Sequence, residues 1–175
     1  NKRAAEVGRA AADKYSTDDK PRFVLGSIGP GTKLITLDQI QWPDMLESYA
    51  EQARGLIAGG ADAFLIETCQ DILQVKLVIN ACLRALKEAD KTPDDIPIMV
   101  SVTIEQTGTM LMGTSIEGAL ATLKDYPIAS LGLNCATGPT EMAEHVSHLG
   151  KHWGVDGRSI SCVPNAGLPV LVEGR

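Results

Sequence analysis

Two hydrophobic patterns alternate along this chain. Short, almost continuously apolar runs, such as FVLGSI at 23–28 and AFLIE at 63–67, are separated by longer stretches in which apolar residues recur at helical spacing. In the clearest of these, which begins at Ile72, apolar residues follow at steps of three, four, three, one and three residues. Short apolar runs are typical of buried strands, and steps of three and four predict an amphipathic helix. The chain therefore alternates strands with helices.

The predicted order is one helix, then four strand and helix units, then a fifth strand. No Asn-Gly or Asp-Gly pair joins two apolar runs, so hairpins are not expected. Regular alternation of this kind is typical of a parallel sheet covered by helices. Two α/β architectures fit: a (βα)8 TIM barrel represented by about five of its eight strands, or a complete doubly wound sheet of five strands. Because the chain opens at Asn1 inside a predicted helix, we expect residues 1–175 to be a single domain, the central part of a barrel whose terminal strands are missing.

Composition and charge exclude several classes of function. The formal net charge is -6, and the 16 Lys and Arg residues are scattered rather than clustered, which argues against a nucleic-acid surface. No apolar run approaches the roughly 20 residues that span a bilayer, so we expect no membrane association and a cytoplasmic protein. The four cysteines form no C-x-x-C pair, which makes a disulfide framework or a self-contained zinc knuckle improbable.

Polar residues follow the predicted strands, at the ends that build ligand sites in parallel α/β folds. Glu67 comes directly after an apolar run, and an unpaired carboxylate there would be costly to bury. We expect it to meet hydrogen-bond donors or a cation, such as a substrate ammonium group. The structural alternative is that it caps the following helix, a role for which Thr68 and Asp71 compete.

Cys135 follows another predicted strand and has three possible roles: a nucleophile, a metal ligand or a small buried apolar residue. The three histidines all fall on the helix after that strand, so a base for a nucleophilic thiol is not evident. The other cysteines are interpreted as packing residues. The glycine-rich loop at 26–31 could admit an anion to backbone amides, but it contains no nucleotide-binding fingerprint. The residues alone leave the role of Cys135 open.

Four stretches, GSIGP, FLIET, GLNCATGP and PNAGLP, together resemble the homocysteine S-methyltransferase family, and the resemblance runs through essentially the whole chain. It implies a (βα)8 barrel that binds Zn2+, which holds homocysteine as its thiolate while the sulfur accepts a methyl group. The four stretches closely resemble the branch in which methylcobalamin, carried on a separate cobalamin-binding module beside a folate-binding module, donates the methyl. Relatives that use betaine or S-methylmethionine are the alternative, and a non-catalytic interaction or storage protein on a degenerate barrel is the rival from another class.

The resemblance also implies roles for individual residues. Cys135 matches the first of three cysteine zinc ligands, and the other two belong to a Gly-Gly-Cys-Cys stretch that this sequence lacks. Asn165 matches a residue that can take the metal position vacated by the substrate sulfur, and Glu67 matches the acidic residue that holds the amino group of homocysteine. The pocket would be lined by Ser27, Gly29, Ser101 and Thr103. We therefore expect the chain alone to be inactive and, with two sheet edges exposed, to self-associate.

Overall fold

The computed structural model describes residues 1–167. Its helices are α1 (Lys2–Tyr15), α2 (Trp42–Ala58), α3 (Ile72–Glu88), α4 (Ile116–Leu123) and α5 (Pro139–His152). Its strands are β1 (Leu25–Ile28), β2 (Ala63–Cys69), β3 (Ile98–Val102), β4 (Ser130–Asn134) and β5 (Ser159–Val163). Each of these helices and strands lies where the hydrophobic pattern predicts it.

The order of the strands decides between the two architectures that the sequence allows. All five strands are parallel, and they follow one another across the sheet as β1-β2-β3-β4-β5. A doubly wound sheet reverses its strand order at a switch point. Sequential order with right-handed crossovers carries every helix to the same side, as in a barrel wall. The fold is therefore a partial barrel, as predicted.

The two faces of the sheet differ in burial. On the face that the helices cover, one row of paired positions is fully buried in four neighbouring strands: Ile28, Ile66, Val100 and Leu131. On the opposite face, Ser27, Leu65 and Met99 form the adjacent row and are less buried. The apolar core thus lies between the sheet and the helices, and the other face is the concave side of the wall.

The loop after β1 is held in place by the helices beneath it. Tyr49 of α2 donates a hydrogen bond of 2.8 Å to the carbonyl oxygen of Pro30. Burial raises the pKa of the Tyr49 phenol to about 12, so the hydroxyl stays protonated and remains a donor. At the amino end of α3, the buried Asp71 accepts hydrogen bonds from the backbone N–H and the hydroxyl of Thr36, at 3.0 and 2.8 Å. These bonds fix the loop that begins at the carboxyl end of β1.

The first and last strands of the sheet have unpaired edges within residues 1–167. Leu25 of β1 and Val163 of β5 are both exposed large apolar residues. A cavity of about 790 Å³ opens at the amino ends of the strands, and its apolar lining includes Phe23, Leu25 and Met99. None of the described helices has the length and hydropathy of a membrane-spanning segment.

Candidate functional site

The carboxyl ends of β1 and β2 meet through one hydrogen bond. Ser27 donates from its hydroxyl to Oε1 of Glu67 at 2.6 Å. In the described part of the chain the Glu67 carboxylate forms no salt bridge. A carboxylate has about four acceptor positions, and the serine uses one of them. Glu67 therefore retains hydrogen-bond acceptor capacity toward the concave side of the sheet.

Glu67 does not cap the helix that follows it. The N-cap of α3 is Asp71, whose side chain accepts a hydrogen bond of 2.9 Å from the backbone N–H of Leu73. Asp71 therefore fills the capping role, and Glu67 does not have the structural function that the sequence allows as an alternative.

Gly29 lies against the same strand end and has no room for a side chain. Its φ is +109°, and a Cβ at this position would lie 2.9 Å from both the Cys69 sulfur and the Glu67 carbonyl oxygen. Both the backbone conformation and the close contact require glycine. The β1 loop thus packs closely on β2 at Gly29, and the role of Gly29 in lining a substrate pocket stays a prediction.

Asn134, the last residue of β4, connects three strand ends. Its Oδ1 accepts from the backbone N–H of Thr68 at 3.0 Å and from the Ser101 hydroxyl at 2.8 Å. Its Nδ2 donates to the Thr68 hydroxyl at 2.8 Å and to the Cys135 sulfur at 3.1 Å. The side chain is buried, with 4% of its surface exposed. One amide therefore ties β2, β3 and the Cys135 turn together.

Ser101 and Thr103 are buried, and their hydroxyls are used by the protein itself. Ser101 donates to the Asn134 side chain, and Thr103 donates to the Asn134 carbonyl oxygen at 3.1 Å. The sequence predicts that both residues line the substrate pocket. In the structure they support Asn134 from β3 and from the residue that directly follows it.

Cys135 begins the turn that follows β4 and lies at the site. Its backbone is left-handed, with φ of 60°, and its N–H donates to the carbonyl oxygen of Val163 at 3.1 Å. The side chain is half-buried and free of disulfide bonds. Burial raises the pKa of the Cys69 and Cys82 thiols to about 12, so these two remain protonated at neutral pH. Cys69 and Cys82 are packing residues, as predicted.

Cys162, predicted to be a packing residue as well, is exposed on the edge strand β5. Its sulfur lies 3.7 Å from the sulfur of Met142 in α5. The prediction for Cys162 is wrong because β5 has no neighbour on its outer side within the described residues.

Asn165 lies next to the Cys135 turn. Its N–H donates to the carbonyl oxygen of Thr137 at 3.0 Å, and the Thr137 N–H donates to the carbonyl oxygen of Cys135 at 2.7 Å. The Asn165 side chain borders a cavity of about 200 Å³ that Ala136 and Glu141 also line. The structure describes residues 164–167 of the PNAGLP stretch, and its last two residues lie outside the described part.

The donor chemistry at this position suits one corner of a zinc site. Cys135 offers a partly accessible sulfur, and cysteine sulfur is a preferred zinc ligand. Asn165 lies two residues after Val163, whose carbonyl oxygen accepts the Cys135 N–H. Within residues 1–167 there is no group of three or more His, Cys, Asp or Glu side chains placed to hold a metal ion. The described residues therefore fit a contribution to a metal site rather than a complete site.

Asn134 is a site residue for which the sequence predicts no role, and Thr68 is expected there only as a candidate helix cap. An amide directly before a strand-end cysteine, in the run GLNC, was the available signal. Which atoms it would bond could not be read from the sequence, because its partners are 33 and 66 residues away along the chain.

Known proteins share the sequence of this chain over most of its length. Residues 1–175 match the homocysteine S-methyltransferase family throughout. The methionine synthases of Mycobacterium leprae and Mycobacterium tuberculosis are 47% and 44% identical to this chain over 171 residues, which is 98% of its length. The chain spans about 14% of the length of these relatives.

Solved structures share the fold. The homocysteine methyltransferase MmuM from Escherichia coli in its apo form superposes with a TM-score of 0.70 at 20% identity, over 95% of this chain and 62% of that one. The metallated form of the same protein gives a TM-score of 0.68 at 21% identity, over 95% and 57% of the two chains. At this level of identity the superposition speaks for the barrel architecture alone. Since the family match covers every residue, this chain belongs to the homocysteine S-methyltransferase family.

Proposed function

We propose that this chain binds homocysteine and presents its sulfur for methylation, as part of a larger enzyme of the methionine synthase type. The observation that carries the proposal is the placement of a carboxylate, Glu67, in β2 and a thiol, Cys135, directly after β4, at strand ends that the Asn134 amide connects. Homocysteine has a cationic amino group, which matches the Glu67 carboxylate. It also has a thiol, which would bind a metal ion held by Cys135.

Glu67 would bind the ammonium group of the substrate. A charge-assisted hydrogen bond to this carboxylate contributes more than a neutral one. The hydrogen bond from Ser27 orients the carboxylate, and Gly29 allows the β1 loop to pack closely beside it.

Cys135 would hold Zn2+ as one of three cysteine ligands, the other two being supplied from outside this sequence, and Asn165 would be the exchangeable ligand that the substrate sulfur replaces. Zinc bound there would favour the thiolate of homocysteine at neutral pH, where a free thiol of pKa about 8.5 is mostly protonated. The part played by this chain is to anchor the amino group and orient the ligand cysteine.

The methyl donor would be methylcobalamin carried on a separate module. The support for this donor is the 47% and 44% identity to proteins named methionine synthase. Since the chain spans about 14% of those proteins, cobalamin-binding and folate-binding modules would belong to the remainder of the polypeptide.

The test is methionine formation by the complete polypeptide that carries this chain. The zinc-loaded polypeptide is given homocysteine with methylcobalamin, betaine or S-methylmethionine, and methionine is measured by chromatography. We expect product from methylcobalamin, and loss of product in Cys135→Ala. Product from betaine or S-methylmethionine instead would select the cobalamin-independent alternative. No product from any donor, together with no homocysteine binding, would select a non-catalytic protein.

A further inference from the structure

We infer that Asn134 is a positioning residue that fixes the spacing between Glu67 and Cys135, and that it thereby selects a substrate with the chain length of homocysteine. The inference rests on the proposed function, because it takes Glu67 and Cys135 as the two ends of the substrate site. Neither the family resemblance nor the strand pattern assigns a role to this side chain.

The Asn134 amide is fully occupied. A carboxamide oxygen accepts two hydrogen bonds and its nitrogen donates two, and all four are made here. The orientation of the amide follows from one of them. A backbone N–H can only donate, so the atom that faces the Thr68 N–H must be the oxygen. The NH2 group is thereby directed toward the Cys135 sulfur and the Thr68 hydroxyl.

The two residues that the NH2 group contacts share an unusual backbone conformation. Thr68 has φ of 63° and Cys135 has φ of 60°, and neither is glycine. A left-handed conformation at such residues costs on the order of 1–3 kcal/mol and persists where the surroundings enforce it. Asn134 is buried and bonds to both residues, so it holds the Thr68 turn and the Cys135 turn in a fixed position relative to each other.

The fixed position of the two turns sets the separation between Glu67 and Cys135, the two ends of the proposed substrate site. Thr68 directly follows Glu67, and its backbone N–H and hydroxyl are both held by Asn134. The carboxylate that would take the amino group and the cysteine that would bind beside the sulfur are thus fixed to one rigid unit. Homocysteine is one methylene longer than cysteine, and a rigid site discriminates such a difference by roughly 10- to 200-fold. A site whose two ends can shift would lose that discrimination.

The experiment compares the binding of L-homocysteine and L-cysteine to the complete zinc-loaded polypeptide by isothermal titration calorimetry. Asn134→Ala removes all four hydrogen bonds, and Asn134→Asp keeps the acceptor but loses the donor. Asn80→Asp is the matched control, because Asn80 is exposed on α3 and bonds only within its helix. We expect the wild type and the control to prefer homocysteine at least about tenfold. Both Asn134 variants should retain no more than about a threefold preference.

Two further measurements keep the outcome decisive. If the Asn134 variants fail to fold in thermal denaturation, Thr68→Ala is used, since it removes one of the four bonds and leaves Asn134 in place; we expect an intermediate preference. Steady-state kinetics should show the loss chiefly in KM for homocysteine. A selective wild type with equally selective Asn134 and Thr68 variants would overturn this inference alone. A wild type that binds neither thiol would overturn the proposed function and this inference with it.

Discussion

The hydroxyl of Ser27 donates a hydrogen bond of 2.6 Å to Glu67, although the two residues are 40 positions apart along the chain. The bond joins the ends of two parallel strands and restricts the carboxylate to one orientation. An oriented carboxylate binds a cation with less loss of conformational freedom than a mobile one. The Ser27–Glu67 pair is therefore the starting point for tests of substrate binding.

Replacement of Glu67 by Gln should weaken homocysteine binding by about 10- to 100-fold. The substitution keeps an oxygen that can accept from Ser27 but removes the negative charge, and hydrogen bonds to charged groups contribute about 1.5–3 kcal/mol. Calorimetric titration of the complete zinc-loaded polypeptide measures the effect. Glu144→Gln, on the exposed side of α5, is the matched control. Equal affinities in the Glu67 and Glu144 variants would contradict the proposed ammonium site.

The 175-residue chain by itself should not bind zinc stoichiometrically with sub-micromolar affinity. Protein zinc sites use three or four side-chain ligands, and the described residues bring no such group together. Titration against a fluorescent zinc indicator measures the affinity, with Cys135→Ser for comparison. A tight equimolar site that disappears in Cys135→Ser would show that this chain completes the site without further cysteines.

Gly132→Ala should destabilise the fold by roughly 3 kcal/mol or more. A Cβ at Gly132 would lie 2.1 Å from the carbonyl oxygen of Ser161 on β5, so the β4–β5 pairing would have to shift. Gly150→Ala is the control, since α5 leaves open space there and alanine favours a helix by roughly 0.5–1 kcal/mol. Urea denaturation followed by circular dichroism measures both variants. A neutral Gly132 variant would mean that β5 does not lie against β4.

The free energy of unfolding should decrease at alkaline pH because two thiols, those of Cys69 and Cys82, are buried. Cys69 and Cys82 have pKa values raised from 9.0 to about 12 by burial. More than about one pH unit below 9.0 both thiols are almost fully protonated in the folded and unfolded chain alike. Between pH 9.0 and about 12 the unfolded chain releases protons that the folded chain keeps, so the free energy of unfolding decreases as pH rises.

The contribution of each thiol to this slope is at most about 1.4 kcal/mol per pH unit. Urea denaturation from pH 8 to roughly pH 11 should therefore give a shallower slope for Cys82→Ala than for the wild type. The control variant is Val7→Ala, which removes an exposed side chain that does not titrate, so its slope should match that of the wild type over the same range. Parallel slopes for the Cys82 variant and the wild type would contradict the assignment.

The isolated chain should self-associate through its unpaired edge strands. Leu25 on β1 and Val163 on β5 are exposed apolar residues at strand edges, and such edges are sites of aggregation. Light scattering should give a mass above that of a monomer. The double variant Leu25→Lys and Val163→Lys should lower that mass, because charge at an edge opposes pairing. A monodisperse monomer with cooperative melting would contradict the expectation.

The sequence predicted the elements and the positions of the candidate residues because both depend on local information. Helical spacing marked α3, and Ser115, a residue type that favours helix N-caps, accepts the N–H of Gly118 at 3.3 Å at the start of α4. Parallel strands place their carboxyl ends on one side, so Glu67 and Cys135 could be expected at the same face. The four motif stretches identified the family, which the match over residues 1–175 confirms.

The tertiary structure alone decided how these parts are arranged. The sequential strand order, which separates a barrel wall from a doubly wound sheet, depends on which strands pair and not on their hydrophobic patterns. The Ser27–Glu67 bond and three of the four hydrogen bonds of Asn134 join residues that are distant along the chain. Hydrogen bonding has a range of about 3 Å, so only folding brings such groups within reach of one another.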